Sequence, residues 1–164
     1  GVDLEVGPEL AALTTEELCT YGAQGVARCA NAMEKRRQGA HGFDRNYERW
    51  QIDVEGVLCE AAAAKALSLP YEAVVGRLDT DEGDIGKGLQ DRGTKYNTGS
   101  LLVHAYDRDD DKFILVTGAY GVYDIRGWIH ARDGKVDKLW KEHRGRGAYW
   151  VPQEFLKPIE TILA

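Results

Sequence analysis

The chain lacks an even set of thiols, a long apolar run and an excess of positive charge, and each absence removes a class of protein. Its three cysteines, Cys19, Cys29 and Cys59, are odd in number, and none stands in a Cys-x-x-Cys or histidine-bearing ligand pattern. A disulfide framework and a structural zinc site are therefore disfavoured. All three fall in segments that read as helical, where buried reduced thiols are expected. No apolar run approaches the ~18 residues of a membrane-spanning helix. No basic-then-apolar segment opens the chain, so no secretion signal and a cytoplasmic location are expected. Gly-x-Gly-x-x-Gly, a Gly-Lys-Ser/Thr phosphate loop and a serine in a nucleophile elbow are all missing, which disfavours dinucleotide chemistry, ATP hydrolysis and serine hydrolysis. Lys and Arg total 21 against 27 Asp and Glu, a net charge of -6. That balance argues against a strong nonspecific nucleic-acid binder but leaves room for a local basic groove.

What is present suits one soluble domain. The 164 residues are enough to bury a core, and 43% hydrophobic with 29% charged residues is an ordinary globular balance. Thr14-Thr15-Glu16-Glu17 offers a hydroxyl cap and first-turn acids, so a helix is predicted from about Glu16 to Arg37, closed by Lys35-Arg36-Arg37. A second helix is predicted from Tyr47 or Asp53 to Leu67, through Ala61-Ala62-Ala63-Ala64 and stopped at Ser68-Leu69-Pro70. Strands are predicted at Leu89 to Tyr96, Ser100 to Tyr106, Phe113 to Gly118, Val122 to Ala131 and Tyr149 to Val151. Val136 to His143 is predicted as a short helix, and Pro152 onward as a helix or turn. The expectation is a single α+β domain over 1–164, with 1–45 as an N-terminal helical extension.

Three segments carry candidate chemistry. Glu60 lies on the second helix in a stripe of small apolar residues, with Val57 and Ala64 on its face. A carboxylate there is costly unless it is paired or holds a metal. Asp84 lies between Gly83 and Gly86, at the entrance to a strand. Gln90 and Arg92, two apart, point to one face of that strand with Thr94, while Asp91 and Lys95 point to the other. Gln90 offers a neutral oxygen to a metal and Arg92 a grip on phosphate.

An early-helix Glu, then an Asp, then a Glu/Gln-x-Lys strand pair resembles the PD-(D/E)xK restriction-endonuclease-like superfamily, in a phage-borne branch. Gly56-Val57-Leu58-Cys59-Glu60-Ala61, Gly83-Asp84-Ile85-Gly86 and Leu89-Gln90-Asp91-Arg92 carry the match. Phe113 to Gly118, Arg126 to Ile129 and Trp150 to Gln153 resemble the tail of phage proteins of that kind, so the likeness runs from about Gly56 to Pro158. The resemblance implies a mixed β-sheet flanked by helices and Mg²⁺- or Mn²⁺-dependent phosphodiester hydrolysis of DNA, in a host cytoplasm if the chain is phage-encoded. It implies that Asp84, the Gln90 oxygen and the backbone carbonyl of Asp91 hold the metal, with Glu60 acting directly or through water. Gln90 stands where the pattern has an acid, and Arg92 where it has a lysine. Arginine stays protonated and cannot act as a base, so it is assigned to orienting phosphate. Lys87 is a stand-in from the loop. The alternative is a catalytically inactive module on the same fold that binds nucleic acid or a host protein.

Other clusters read more plainly. Asp107, Asp109 and Asp111 alternate as in a calcium loop, but Lys112 takes the glycine position and Gly118 the closing-glutamate position, so a solvated hairpin turn is expected. His104 and His130 fall in predicted strands and are read as structural. Lys138, Lys141, His143, Arg144 and Arg146 interleave with Trp140, Tyr149 and Trp150. That mixture suits either a nucleic-acid backbone with stacked bases or a solvated edge beside core tryptophans.

Overall fold

The computed structural model describes residues 9–38, 48–71 and 84–163. Its chain order is β1 (Glu9–Ala12), α1 (Thr15–Gln38), α2 (Glu48–Ala66), β2 (Leu89–Thr94), β3 (Leu101–Val103), β4 (Lys112–Ala119), β5 (Val122–His130), a one-turn α3 (Ala131–Gly134), β6 (Trp140–His143) and β7 (Arg146–Val151). Short 3-10 turns stand at Asp137–Leu139, Gln153–Phe155 and Ile159–Thr161. The domain is α+β, with two sheets. A mixed sheet has the order β1-β5-β4-β2, with β2 parallel to β4 and the other pairs antiparallel. An antiparallel sheet has the order β3-β7-β6. Among the described residues no helix is long and apolar enough to cross a membrane.

Alternation along β4 separates two cores. Ile114 and Val116 join Leu58, Cys59 and Ala61 to Ala64 of α2, while Phe113 and Leu115 join Leu101, Val103 and Val151 of the second sheet. Both faces of β4 are thus covered, which is why Phe113 to Thr117 reads as an unbroken apolar run closed by a buried threonine. Each such side chain contributes about 1.5–3 kcal/mol by leaving water. In β5 the pairing slips: Leu115 faces Gly127 and Val116 faces Ile125, so Arg126 is an extra residue. This bulge shifts parity by one and lets Trp128 lie on the same core side as Tyr123 and Ile125.

The capping expectation is met reciprocally. Thr14 Oγ1 accepts from Glu17 N–H at 3.1 Å and Glu17 Oε1 accepts from Thr14 N–H at 2.8 Å. Lys65 Nζ of α2 then donates to Glu17 at 2.6 Å and to Ala12 O at 2.9 Å, tying β1, α1 and α2 together. α1 and α2 meet at Gly25, where a Cβ would lie 2.6 Å from Val54 Cα. Arg28 follows on the same face of α1.

Several sequence expectations are corrected. Residues 9–12, within the stretch expected to be helical, pair with β5 as an edge strand. Trp140–His143 is a strand, because a tight turn with positive φ at Arg144 and Gly145 folds it against β7. The 107–111 segment joins strands of different sheets and is no hairpin; Asp107 and Asp111 are buried, with Arg92 and Arg108 as partners. Cys29 and Cys59 are buried free thiols, but Cys19 is exposed.

Two glycines of α1 should therefore respond oppositely to alanine. Nothing lies within 4 Å of a Cβ at Gly22, so Gly22→Ala should stabilise by about 0.5–1 kcal/mol through helix propensity. Gly25→Ala gains the same propensity but forces the helices apart, and should destabilise by a net ~1–3 kcal/mol in urea unfolding. Equal effects at the two positions would contradict the packing described.

A candidate metal centre in an acidic cleft

Glu60 arrives from α2 because Ala61, Ala62, Ala63 and Ala64 are all buried and let the helix lie close on the sheet. Asp84 arrives along the free edge of β2. Its backbone N–H donates to Leu89 O at 3.0 Å, and its Oδ2 accepts from Asp91 N–H at 3.2 Å. Asp91 arrives from β2 itself, on the helix-facing side shared with buried Leu89. One carboxylate oxygen from each of Glu60, Asp84 and Asp91 lies within 4.8 Å of the others. The three line a cleft of about 740 Å³, whose walls also carry Lys95, Tyr96 and Tyr120.

Among the described residues, burial and the Arg28 guanidinium set the electrostatics of this trio. Arg28 holds Glu60 in a two-pronged pair, Nη1 to Oε1 at 3.0 Å and Nη2 to Oε2 at 3.1 Å. The Tyr71 hydroxyl also donates to Glu60 Oε2. Burial still pushes the Glu60 carboxyl above its ordinary range, against the pull of these partners. Asp91 is pushed up further, first by loss of hydration and then by the negative charges of Asp84 and Glu60. Burial likewise pushes up the Cys59 thiol and the Tyr71 phenol.

The other sequence-singled residues take different places. Gln90 and Arg92 do share a face, but that face looks toward the second sheet. Arg92 donates to Asp107 Oδ1 at 2.8 Å and lies 4.8 Å from the Phe113 ring centroid, a tie between β2 and the 107–111 turn. Gln90 Nε2 donates to Asp111 Oδ2 at 3.4 Å; with the amide turned over, the same nitrogen lies 3.0 and 3.3 Å from the two Asp84 oxygens and donates to them instead. Asp91 offers its side chain, where the sequence reading used only its carbonyl. Lys95 shares the Asp91 side and lines the cleft, whereas Lys87 is exposed in the turn before β2. Two residues after Asp91, on the same side of β2, stands Gly93, where a Cβ would lie 2.8 Å from Cys59 Sγ.

Sequence reasoning missed Arg28, Tyr71 and the Asp91 side chain. The alternation Leu89-x-Asp91-x-Gly93 was the available signal, since an apolar Leu89 marks the core-facing parity of β2. Arg28 and Tyr71 carry no local signal, because only the packing of α1 on α2 brings Arg28 to Glu60. No family model matches the sequence, and neither a curated protein nor a solved structure is significantly similar to it.

Asp91 makes stability depend on pH in a defined direction. A carboxyl whose folded value lies above its unfolded value takes up a proton on folding. Its contribution is complete below the unfolded value of about 4 and is lost as pH rises through the raised one. Asp91→Asn removes that loss. In metal-free urea unfolding the variant should match the wild type near pH 4 and exceed it by on the order of 1 kcal/mol at pH 8. A wild type more stable than the variant at pH 8 would show that the Asp91 charge is compensated.

Proposed function

We propose that this chain is a divalent-metal-dependent phosphodiesterase acting on DNA, on a restriction-endonuclease-like arrangement of helix and mixed sheet. The observation that carries the reading is the meeting of Glu60, Asp84 and Asp91 at one wall of an open cleft. The donors are all hard carboxylate oxygens, the set that suits Mg²⁺ or Mn²⁺ and not a thiophilic metal. Three acids share one close guanidinium, and a divalent cation relieves the excess negative charge. Asp84, Asp91 and Glu60 would hold it. A bound Mg²⁺ supplies an activated water and neutralises charge on a phosphate.

The chain's own residues do the rest. With its amide turned over, Gln90 orients Asp84 through its nitrogen, and the Asp91 N–H fixes the same carboxylate from the strand. Arg28 remains charged, so it stabilises anionic oxygens and takes no proton. Lys95, on the Asp91 side of β2, is the amine assigned to the substrate phosphate. Arg92 also lines the cleft; its guanidinium is paired with Asp107 and stays charged, so it can orient a phosphate but takes no proton.

One observation favours a second reading. Glu60 is already engaged by Arg28 and Tyr71, and Arg92, at the lysine place of the pattern, is paired with Asp107. An inactive module that binds nucleic acid or a host protein through the same cleft is consistent with that.

Calorimetry with Mn²⁺ and cleavage assays on single- and double-stranded DNA and on RNA separate the two. The nuclease reading expects Mn²⁺ binding and Mg²⁺- or Mn²⁺-dependent cleavage, with Asp84→Ala and Asp91→Ala each lowering the rate at least about a hundredfold. Absence of both metal binding and cleavage would sink it. Salt-dependent DNA binding that survives Asp84→Ala would then support the inactive module.

A further inference from the structure

The cleft has a second feature, independent of its acids. Two tyrosines stand at its rim with their rings in solvent, Tyr96 63% and Tyr120 80% exposed. Tyr120 opens the two-residue turn between β4 and β5, Tyr120-Gly121, in which φ is 57° and 89°. Such turns favour Asn or Gly, and a bulky L residue at positive φ is strained. Burial does not offset the strain, because the ring is exposed. The turn is also pinned: Tyr120 N–H donates to Glu55 Oε1 at 3.0 Å, and the Tyr123 hydroxyl donates to Glu55 Oε2 at 2.6 Å. A strained, anchored and exposed aromatic is the pattern of a contact residue. Across the same cleft Tyr96 follows Lys95, whose Nζ lies 5.3 Å from its ring centroid.

We propose that the cleft takes single-stranded nucleic acid, with an unpaired base stacked on Tyr120 or Tyr96 and an adjacent phosphate against Lys95. Stacking needs an open base face, which a continuous duplex does not offer. The volume of about 740 Å³ is that of a pocket for one or two nucleotides and not of a trough for a double helix. The inference rests on the reading of the acidic trio as a phosphodiester site.

The test is fluorescence anisotropy in EDTA with a labelled oligothymidylate of about a dozen nucleotides, free or annealed to its complement. Tyr120→Gly is the decisive variant, because glycine takes the turn without strain and the protein should fold at least as well. Wild type should prefer the single strand by at least about tenfold, and Tyr120→Gly and Tyr96→Leu should each weaken it about tenfold. Unchanged affinity in both variants, tighter binding of duplex, or no nucleic-acid binding would overturn the proposal; the last would make the rim a protein contact. Tyrosine-dependent binding without Mn²⁺-dependent cleavage keeps the platform and removes the phosphodiesterase. Duplex cleavage indifferent to Tyr120→Gly does the reverse.

Discussion

The close approach of α2 to the mixed sheet is the constraint on which the rest depends. It requires four successive alanines on the helix and a glycine opposite Cys59 on β2. Once the helix is that near, a glutamate one residue before the alanines is largely withdrawn from water and is held by partners within the protein. It finds Arg28, Tyr71 and the company of two aspartates. A larger residue at Gly93 would displace Cys59, and with it the neighbouring Glu60.

Charge is concentrated unevenly by this packing. The helix side of β2 gathers three acids around one guanidinium, while the opposite side pairs Arg92 with Asp107. The acidic side opens to the cleft. A carboxylate that is pushed up by burial and by like charges costs stability at neutral pH. The same cleft carries a strained turn at Tyr120, held by Glu55 of the same helix. Helix α2 thus organises both the acidic wall and the aromatic rim of one cleft.

The local signals in the chain were legible wherever a single element decided the outcome. The Thr14–Glu17 cap, the alanine helix and the four strands from Leu89 to Ala131 follow from hydroxyl, alanine and alternation patterns that need no partner. Glu60 and Asp84 stood out for the same reason, one as a charge in an apolar stripe and one in a glycine-rich entrance. The Trp140–His143 strand was not legible, because its pairing is fixed by a turn with positive φ at Arg144 and Gly145, and mixed aromatic and charged residues read equally well as helix. The burial of Asp107 was equally hidden, since its partner Arg92 is brought in from β2.

The chain alone settled the parity that divides Gln90 and Arg92 from Asp91 and Lys95, because side chains along a strand alternate whatever surrounds it. Only the tertiary structure decided which of those faces meets Glu60. That choice depends on where α2 lies, and α2 lies on the Leu89 side because apolar burial there outweighs the cost of bringing three carboxylates together.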